Sequence, residues 1–198
     1  MDCDSLVILM AKNPISRPVK TRLAEDIGVH KAKEVYQELV DINVRELLKL
    51  NSVETLLCID GGFDYFYQYG LKTVAQSGDD LQNRILNVLN TEWQKFKKIV
   101  LIGSDCPFIT SVLLDEVLAR LGDVDVVIQP ALDGGYTLIG LSRPVPELFL
   151  SMPFSTEKLY SESITRLIEL GYSFYELPQS YDIDTVEDLN RWKQAKAL

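Results

Sequence analysis

Short aliphatic runs separated by helix-periodic stretches constrain this chain more than any other feature. Residues 6–10, 53–59, 99–102 and 124–128 are rich in Leu, Ile and Val. A strand buried on both faces reads as such a run, because successive side chains point to opposite sides. Between the runs, residues 31–50 place Val35, Leu39, Ile42, Leu47 and Leu50 near helical spacing, with charges between them. Asp79 or Asp80 is placed to cap a helix with Leu81, Ile85, Val88, Leu89 and Trp93 on one face. Residues 110–121, 157–170 and 185–196 read as further helices, the second stopped by Gly171. Residues 73–76, 136–141 and 173–177 supply shorter strands.

Strands alternating with helices predict an α/β fold, a mainly parallel mixed sheet with helices on both faces. The strand at 136–141 follows the turn residues Asp133, Gly134 and Gly135 and is the expected antiparallel exception. No repeat, linker or low-complexity segment divides the sequence, so residues 1–198 are expected to form one domain. In such sheets ligands gather beyond the carboxyl ends of strands.

Charge narrows the partners. Lys and Arg number 20 against 29 Asp and Glu, a formal charge of -9, which opposes binding of a nucleic-acid polymer. No run is long and apolar enough to span a membrane, and the first residues lack the pattern of a secretory signal, so a cytoplasmic protein is expected. Cys3, Cys58 and Cys106 form no CxxC pair, and Cys106 has no nearby base, so it reads as a packing residue. His30 is the single histidine and falls on a helical surface, which excludes chemistry requiring paired histidines. Oligomeric state is left open, a homo-oligomer included.

Against this acidic background, Lys12, Arg17, Lys20, Thr21 and Arg22 follow the first strand. Their cations, with backbone amides opening a helix near Thr21, predict a diphosphate seat. Lys20 and Arg22 are read as exposed cations, so their loss is expected to cost nucleotide affinity rather than stability. The loop contains no glycine. Asp105, in the segment IGSDCP, stands just past the strand at 99–102, where a hard cation such as Mg²⁺ or Mn²⁺ shared with substrate phosphates finds an oxygen ligand. Its replacement by asparagine is expected to relieve repulsion between carboxylates and raise stability slightly. Asp182 and Asp184 would share one side if extended, although either could cap the helix at 185–196, where Thr185 and Asp188 have a capping-box spacing. Asp133, Gly134 and Gly135 serve equally as a hairpin turn or as a close approach to substrate. Arg84 either reaches the same crevice or makes a surface ion pair.

These segments, with PALDGGYTLIGL, FSTEKL and YDIDTVEDL, resemble a family of bacterial glycosyltransferase-like proteins. The resemblance runs from near Leu6 to about Trp192. It extends in fold to phospholactate guanylyltransferase and the molybdopterin nucleotidyltransferases. It implies a single GT-A domain of the nucleotide-diphospho-sugar transferase type. In it, Lys12, Lys20 and Arg22 face the nucleotide, and Thr21 and Arg84 are further nucleotide-binding candidates. Asp105 takes the DxD-like metal position, approached by Asp182 or Asp184, and serves catalysis together with Asp133. Gly134 and Gly135 border the transferred group or acceptor. Arg17 and Pro18 depart from the family, which commonly has a glycine at the position of Arg17. The leading expectation is a metal-dependent transferase using a nucleotide sugar and a small-molecule acceptor. The alternatives are a nucleotidyltransferase that consumes a nucleoside triphosphate and releases pyrophosphate, weakened by the missing loop glycine, and a non-catalytic nucleotide-binding module.

Overall fold

The computed structural model describes residues 3–196. Its strands are β1 Ser5–Lys12, β2 Glu54–Asp60, β3 Lys72–Ala75, β4 Lys98–Gly103, β5 Val126–Pro130, β6 Tyr136–Leu141 and β7 Phe174–Glu176. Its helices are α1 Thr21–Ile27, α2 Val29–Leu47, α3 Leu81–Glu92, α4 Ser111–Arg120, α5 Leu159–Leu170 and α6 Val186–Lys196. The strands form one sheet in the order β3-β2-β1-β4-β6-β5-β7. β6 runs antiparallel to both of its neighbours, and the remaining pairs are parallel, as expected.

Alternation along the strands sorts the core into two layers. Val7 and Leu9 of β1 pack with Tyr36, Val40 and Val44 of α2 and with Leu114 and Val117 of α4. Leu6 and Ile8 face the other way, toward Ile85 and Leu89 of α3 and Leu167 of α5. A smaller cluster joins Leu23 of α1, Leu39 of α2, Ile183, and Leu189 and Trp192 of α6. The helices therefore cover both faces of a mixed α/β sheet.

The chain goes outward from β1 through β2 to β3 and returns to β4 on the opposite side of β1. That reversal makes the gap between the carboxyl ends of β1 and β4 a topological switch point, where loops diverge and leave a crevice.

Helix starts follow local chemistry. The Asp80 carboxylate accepts the Asn83 N–H, which selects Asp80 over Asp79 as the cap, and Thr110 caps α4 in the same way. Thr185 and Asp188 bond reciprocally, as the capping-box spacing predicts.

Several boundaries differ from the sequence reading. β1 extends through Lys12, α2 ends at Leu47 and leaves Leu50 beyond it, and β5 begins at Val126 rather than residue 124. Leu81, read as core, is exposed because it occupies the first turn of α3 over an opening rather than over the sheet.

Candidate functional site

The loop leaving β1 is organised by Asn13, which is fully buried. Its backbone N–H donates to Asp60 O at 2.8 Å, its Oδ1 accepts the Ile15 N–H at 2.8 Å, and its Nδ2 donates to Gly62 O and Asp64 Oδ1. The glycine missing from the loop stands opposite it. Gly61, after β2, has φ 107°, and a Cβ there would crowd Ser16 Oγ and Asn13 Cβ. A loop without glycine thus packs tightly because its neighbour supplies the space. Tyr36 of α2 accepts the Lys12 N–H at 2.8 Å, donates to Lys12 O at 3.0 Å and lies 3.1 Å from Ser104 Oγ, which fixes the ends of β1 and β4 together. Asn43, also on α2, donates to Cys106 O at 3.1 Å and steadies the loop carrying Asp105.

At the switch point, the Lys20 ammonium lies 2.6 Å from Asp105 Oδ1 and 2.8 Å from Asp184 Oδ1. Its side chain is 2% exposed, and the residue has φ 49° in the left-handed region. The expectation of an exposed cation is therefore corrected: the loop turns Lys20 inward to neutralise two carboxylates. Burial alone would lower its pKa, but Asp105 and Asp184 more than offset that and keep it charged. The Ile183 N–H donates to Asp105 O at 3.0 Å, so a backbone bond rather than a strand brings residues 182–184 to Asp105. The extended alternation expected for Asp182 and Asp184 is absent, since residues 182–184 lie outside any strand. Burial, then the charge of Asp105, with smaller contributions from Asp184 and Asp133, pushes the Asp182 carboxyl up to about 8 despite the opposing pull of Lys20.

A second ionic cluster lies across β1. Asp60 receives Arg17 Nε at 2.9 Å and Arg84 Nη1 at 3.0 Å. Burial opposes its charge, but Arg84 and then Arg17 outweigh burial and hold its carboxyl below the usual range. Gln76 donates to Ala11 O and Cys58 O and accepts from Arg84, which ties this cluster to the ends of β1 and β2. Lys12, Arg17, Pro18, Asp60 and Arg84 line a cavity of about 250 Å³. The single cation cluster read from the sequence is therefore split, with Lys12 and Arg17 here beside Arg84, Lys20 across the strand and Arg22 lining the larger cavity. Asp60 and Gln76 were missed as site residues; the available signal was that Asp60 ends a strand next to β1.

The larger cavity, about 1120 Å³, opens between α3 and the segment before α5. Arg22, Asp133, Gly135, Asp182 and Asp184 line it. Thr21 is exposed at the start of α1, a helix of 7 residues. Asp133 Oδ1 accepts the Gly135 N–H at 2.9 Å, as in a tight turn, so the hairpin and the site coincide. Gly134 is different: with φ 84°, it leaves no room for a Cβ because the Glu157 backbone packs against it, and its carbonyl accepts the Tyr160 N–H at 2.8 Å. The close approach at Gly134 is made by the chain itself. Pro153, Phe154, Ser155, Thr156 and Lys158 form one wall, a role the sequence signalled only through the FSTEKL block. Cys106 is buried, and burial pushes its thiol up to about 11, consistent with packing rather than nucleophilic chemistry.

Whether these residues suit a divalent cation is decided by their donors. Asp105 Oδ1 is buried and, despite the nearby ammonium, lacks a hydrogen bond among the described residues. Asp184 supplies a second carboxylate on the same ammonium. Among the described residues no group of three or more His, Cys, Asp or Glu side chains is arranged to hold a metal ion. The set fits a hard cation that takes its remaining ligands from substrate phosphates and water, and does not fit an all-protein cage.

Residues 43–156 match the family described as "Uncharacterized protein conserved in bacteria (DUF2064)". The chain is 26% identical over 183 residues to 2-phospho-L-lactate guanylyltransferase of Methanothermobacter thermautotrophicus (strain Delta H), covering 89% of this chain and 80% of that protein. A crystal structure from Desulfovibrio desulfuricans G20, provisionally described as a nucleotide-diphospho-sugar transferase, aligns with TM-score 0.91 and 28% identity, over 98% of this chain and 87% of that one. The CMP:2-keto-3-deoxy-manno-octonic acid synthetase complexed with CTP aligns with TM-score 0.65 over 98% of each chain; at 14% identity it shows the shared fold alone. No helix among the described residues is long and apolar enough to cross a membrane.

Proposed function

The chain belongs to the DUF2064 family, and on that premise we propose that it is a nucleotidyltransferase, moving a nucleoside monophosphate from a nucleoside triphosphate onto a small phosphorylated acceptor. The observation that carries this reading is the juxtaposition of two ionic clusters of opposite composition on either side of the β1 end. One is rich in carboxylates, the other in guanidinium groups. Between and beside them is space for two substrates, since the larger cavity exceeds the volume that one drug-sized ligand fills. The guanylyltransferase relative favours this alternative over the nucleotide-sugar transferase that led the sequence reading. The description of the Desulfovibrio structure keeps the nucleotide-sugar donor as the second reading.

In the proposed reaction an acceptor phosphate oxygen attacks the α-phosphorus, the α–β phosphoanhydride bond breaks, and pyrophosphate leaves with the bonding electrons. No proton needs to move. Lys12 and Arg17 draw the triphosphate toward the loop after β1, and Arg22 meets charge on the cavity side. Asp105 and Asp184 would hold Mg²⁺ or Mn²⁺, which when bound neutralises charge on the triphosphate and its leaving group. Lys20 keeps those carboxylates together, and its ammonium can also pair with a phosphate oxygen. Asp182 and Asp133 border the acceptor, and in the metal-free protein burial and the charge of Asp105 push the Asp182 carboxyl up to about 8. Gly135 leaves the cavity wall low beside Asp133.

Incubation with each nucleoside triphosphate, Mg²⁺ or Mn²⁺, and a panel of phosphomonoesters should release pyrophosphate with one base preferred. Melting curves should rise with that triphosphate only when the cation is present. Stabilisation by nucleotide sugars alone, without pyrophosphate release, overturns the proposal in favour of the second reading.

A further inference from the structure

The acceptor half of the large cavity has a chemistry that the ionic clusters do not explain. Met10, Leu101 and Ile139 from the sheet, Leu81 and Ile85 from α3, and Phe154 from the opposite wall form an apolar patch in its lining, beside the polar Thr137, Ser155 and Thr156. Leu81 is 47% exposed there, with no core residue covering it. Beside these groups is Tyr136, the first residue of β6, whose hydroxyl oxygen is buried and has no hydrogen-bond partner among the described residues. A buried hydroxyl without a partner is destabilising unless a ligand atom completes it.

Resting on the nucleotidyltransferase reading, we propose that the acceptor is a phosphomonoester with an apolar body, seated between α3 and the 153–158 segment, and that the Tyr136 hydroxyl donates to an acceptor oxygen. A sugar phosphate presents hydroxyls around its ring. Against Met10, Leu81, Ile85, Leu101 and Ile139 those hydroxyls would lose water and gain no partner, and only the hydroxyls facing Thr137 and the 153–158 wall would find one. A hydrocarbon body loses nothing there and removes the apolar walls from water. Arg22, which also lines the cavity, would receive the phosphate end. The single hydroxyl of Tyr136 then fixes the ligand without demanding a polyol.

The test uses hexyl phosphate and glucose 1-phosphate as probes, titrated calorimetrically into the full-length protein with Mg²⁺ and without nucleotide. Hexyl phosphate should bind at least about tenfold more tightly. Leu81→Asp should abolish that preference; the position is exposed and in the first turn of a helix, where a carboxylate is tolerated, so the variant should fold. Tyr136→Phe, which preserves shape, should weaken hexyl phosphate roughly tenfold. Equal affinities for the two probes, tighter binding of glucose 1-phosphate, or an unchanged preference in Leu81→Asp overturns the assignment. Pyrophosphate release is measured separately: its absence with the probe preference intact sinks the nucleotidyltransferase reading and leaves the assignment of an apolar phosphomonoester site standing.

Discussion

The two ionic clusters flanking β1 are near mirror images in charge. On one side a lysine sits between two carboxylates, Asp105 and Asp184; on the other a carboxylate, Asp60, sits between two guanidinium groups, Arg17 and Arg84. A single loop contributes Arg17 to one and Lys20 to the other. The difference teaches that the loop does not present a cationic surface; it divides its charges. On the proposed reading, the cluster with excess carboxylate would take the divalent cation and the cluster with excess guanidinium the phosphates, so that a metal–nucleotide complex would be matched by both at once.

The comparison breaks most visibly at Asp105. Asp105→Asn should reduce Mn²⁺-dependent nucleotide affinity by about 100-fold while the fold survives. Calorimetric titration beside a melting curve reads both, and wild-type affinity in the variant removes Asp105 from the metal site. The gain in stability expected from the sequence is withdrawn, because Asp105 pairs with Lys20 rather than facing only other acids.

Lys20→Met should come next. It leaves Asp105 and Asp184 without their shared cation, at a cost of about 2 kcal/mol, below the range for fully buried pairs because both carboxylates remain partly solvated. Mn²⁺ should recover most of the lost melting temperature, since it replaces the missing charge. A variant as stable as wild type in chelator would show that the lysine is not the cluster's counter-ion.

Asp182→Asn tests the same cluster through pH. Between about pH 4, where an unfolded carboxyl titrates, and about pH 8, the folded chain holds a proton that the unfolded chain has released. This contribution therefore falls as pH rises through that window. The metal-free variant should gain on wild type by up to about 3–4 kcal/mol from pH 5 to pH 8, measured by denaturant titration at each pH. Parallel stability curves would contradict the raised carboxyl.

Asp60→Asn should show the opposite trend and the smallest effect. The Asp60 pKa is lowered, so its contribution is present above about pH 4 and disappears as pH falls through the folded value. The variant should be about 1 kcal/mol less stable at pH 7, and the gap should close in acid. A gap that persists at the lowest pH would assign its cause to packing rather than charge.

The fold was legible because its signals are local. Aliphatic runs and helical spacing identify β1, β2, β4 and α2 to α6, and the turn residues 133–135 announce the antiparallel β6. Asp80 and Thr185 with Asp188 reveal helix starts, since a cap acts within a few residues. The place of Asp105 just beyond the carboxyl end of β4 was also legible, because it follows an aliphatic strand.

By itself, then, the sequence determined the alternation of elements, the helix caps, and which strand ends carry acids and cations. Only the tertiary structure decided the partners: that Lys20 turns inward, that Asp60 gathers Arg17 and Arg84, that Gly61 makes room for a loop without glycine, and that Glu157 occupies the space at Gly134. Periodicity and capping depend on neighbours within a turn or two of chain. Charge pairing and close packing depend on strand order, and β1 brings together groups as far apart in sequence as Lys20 and Asp184, which no local pattern can register.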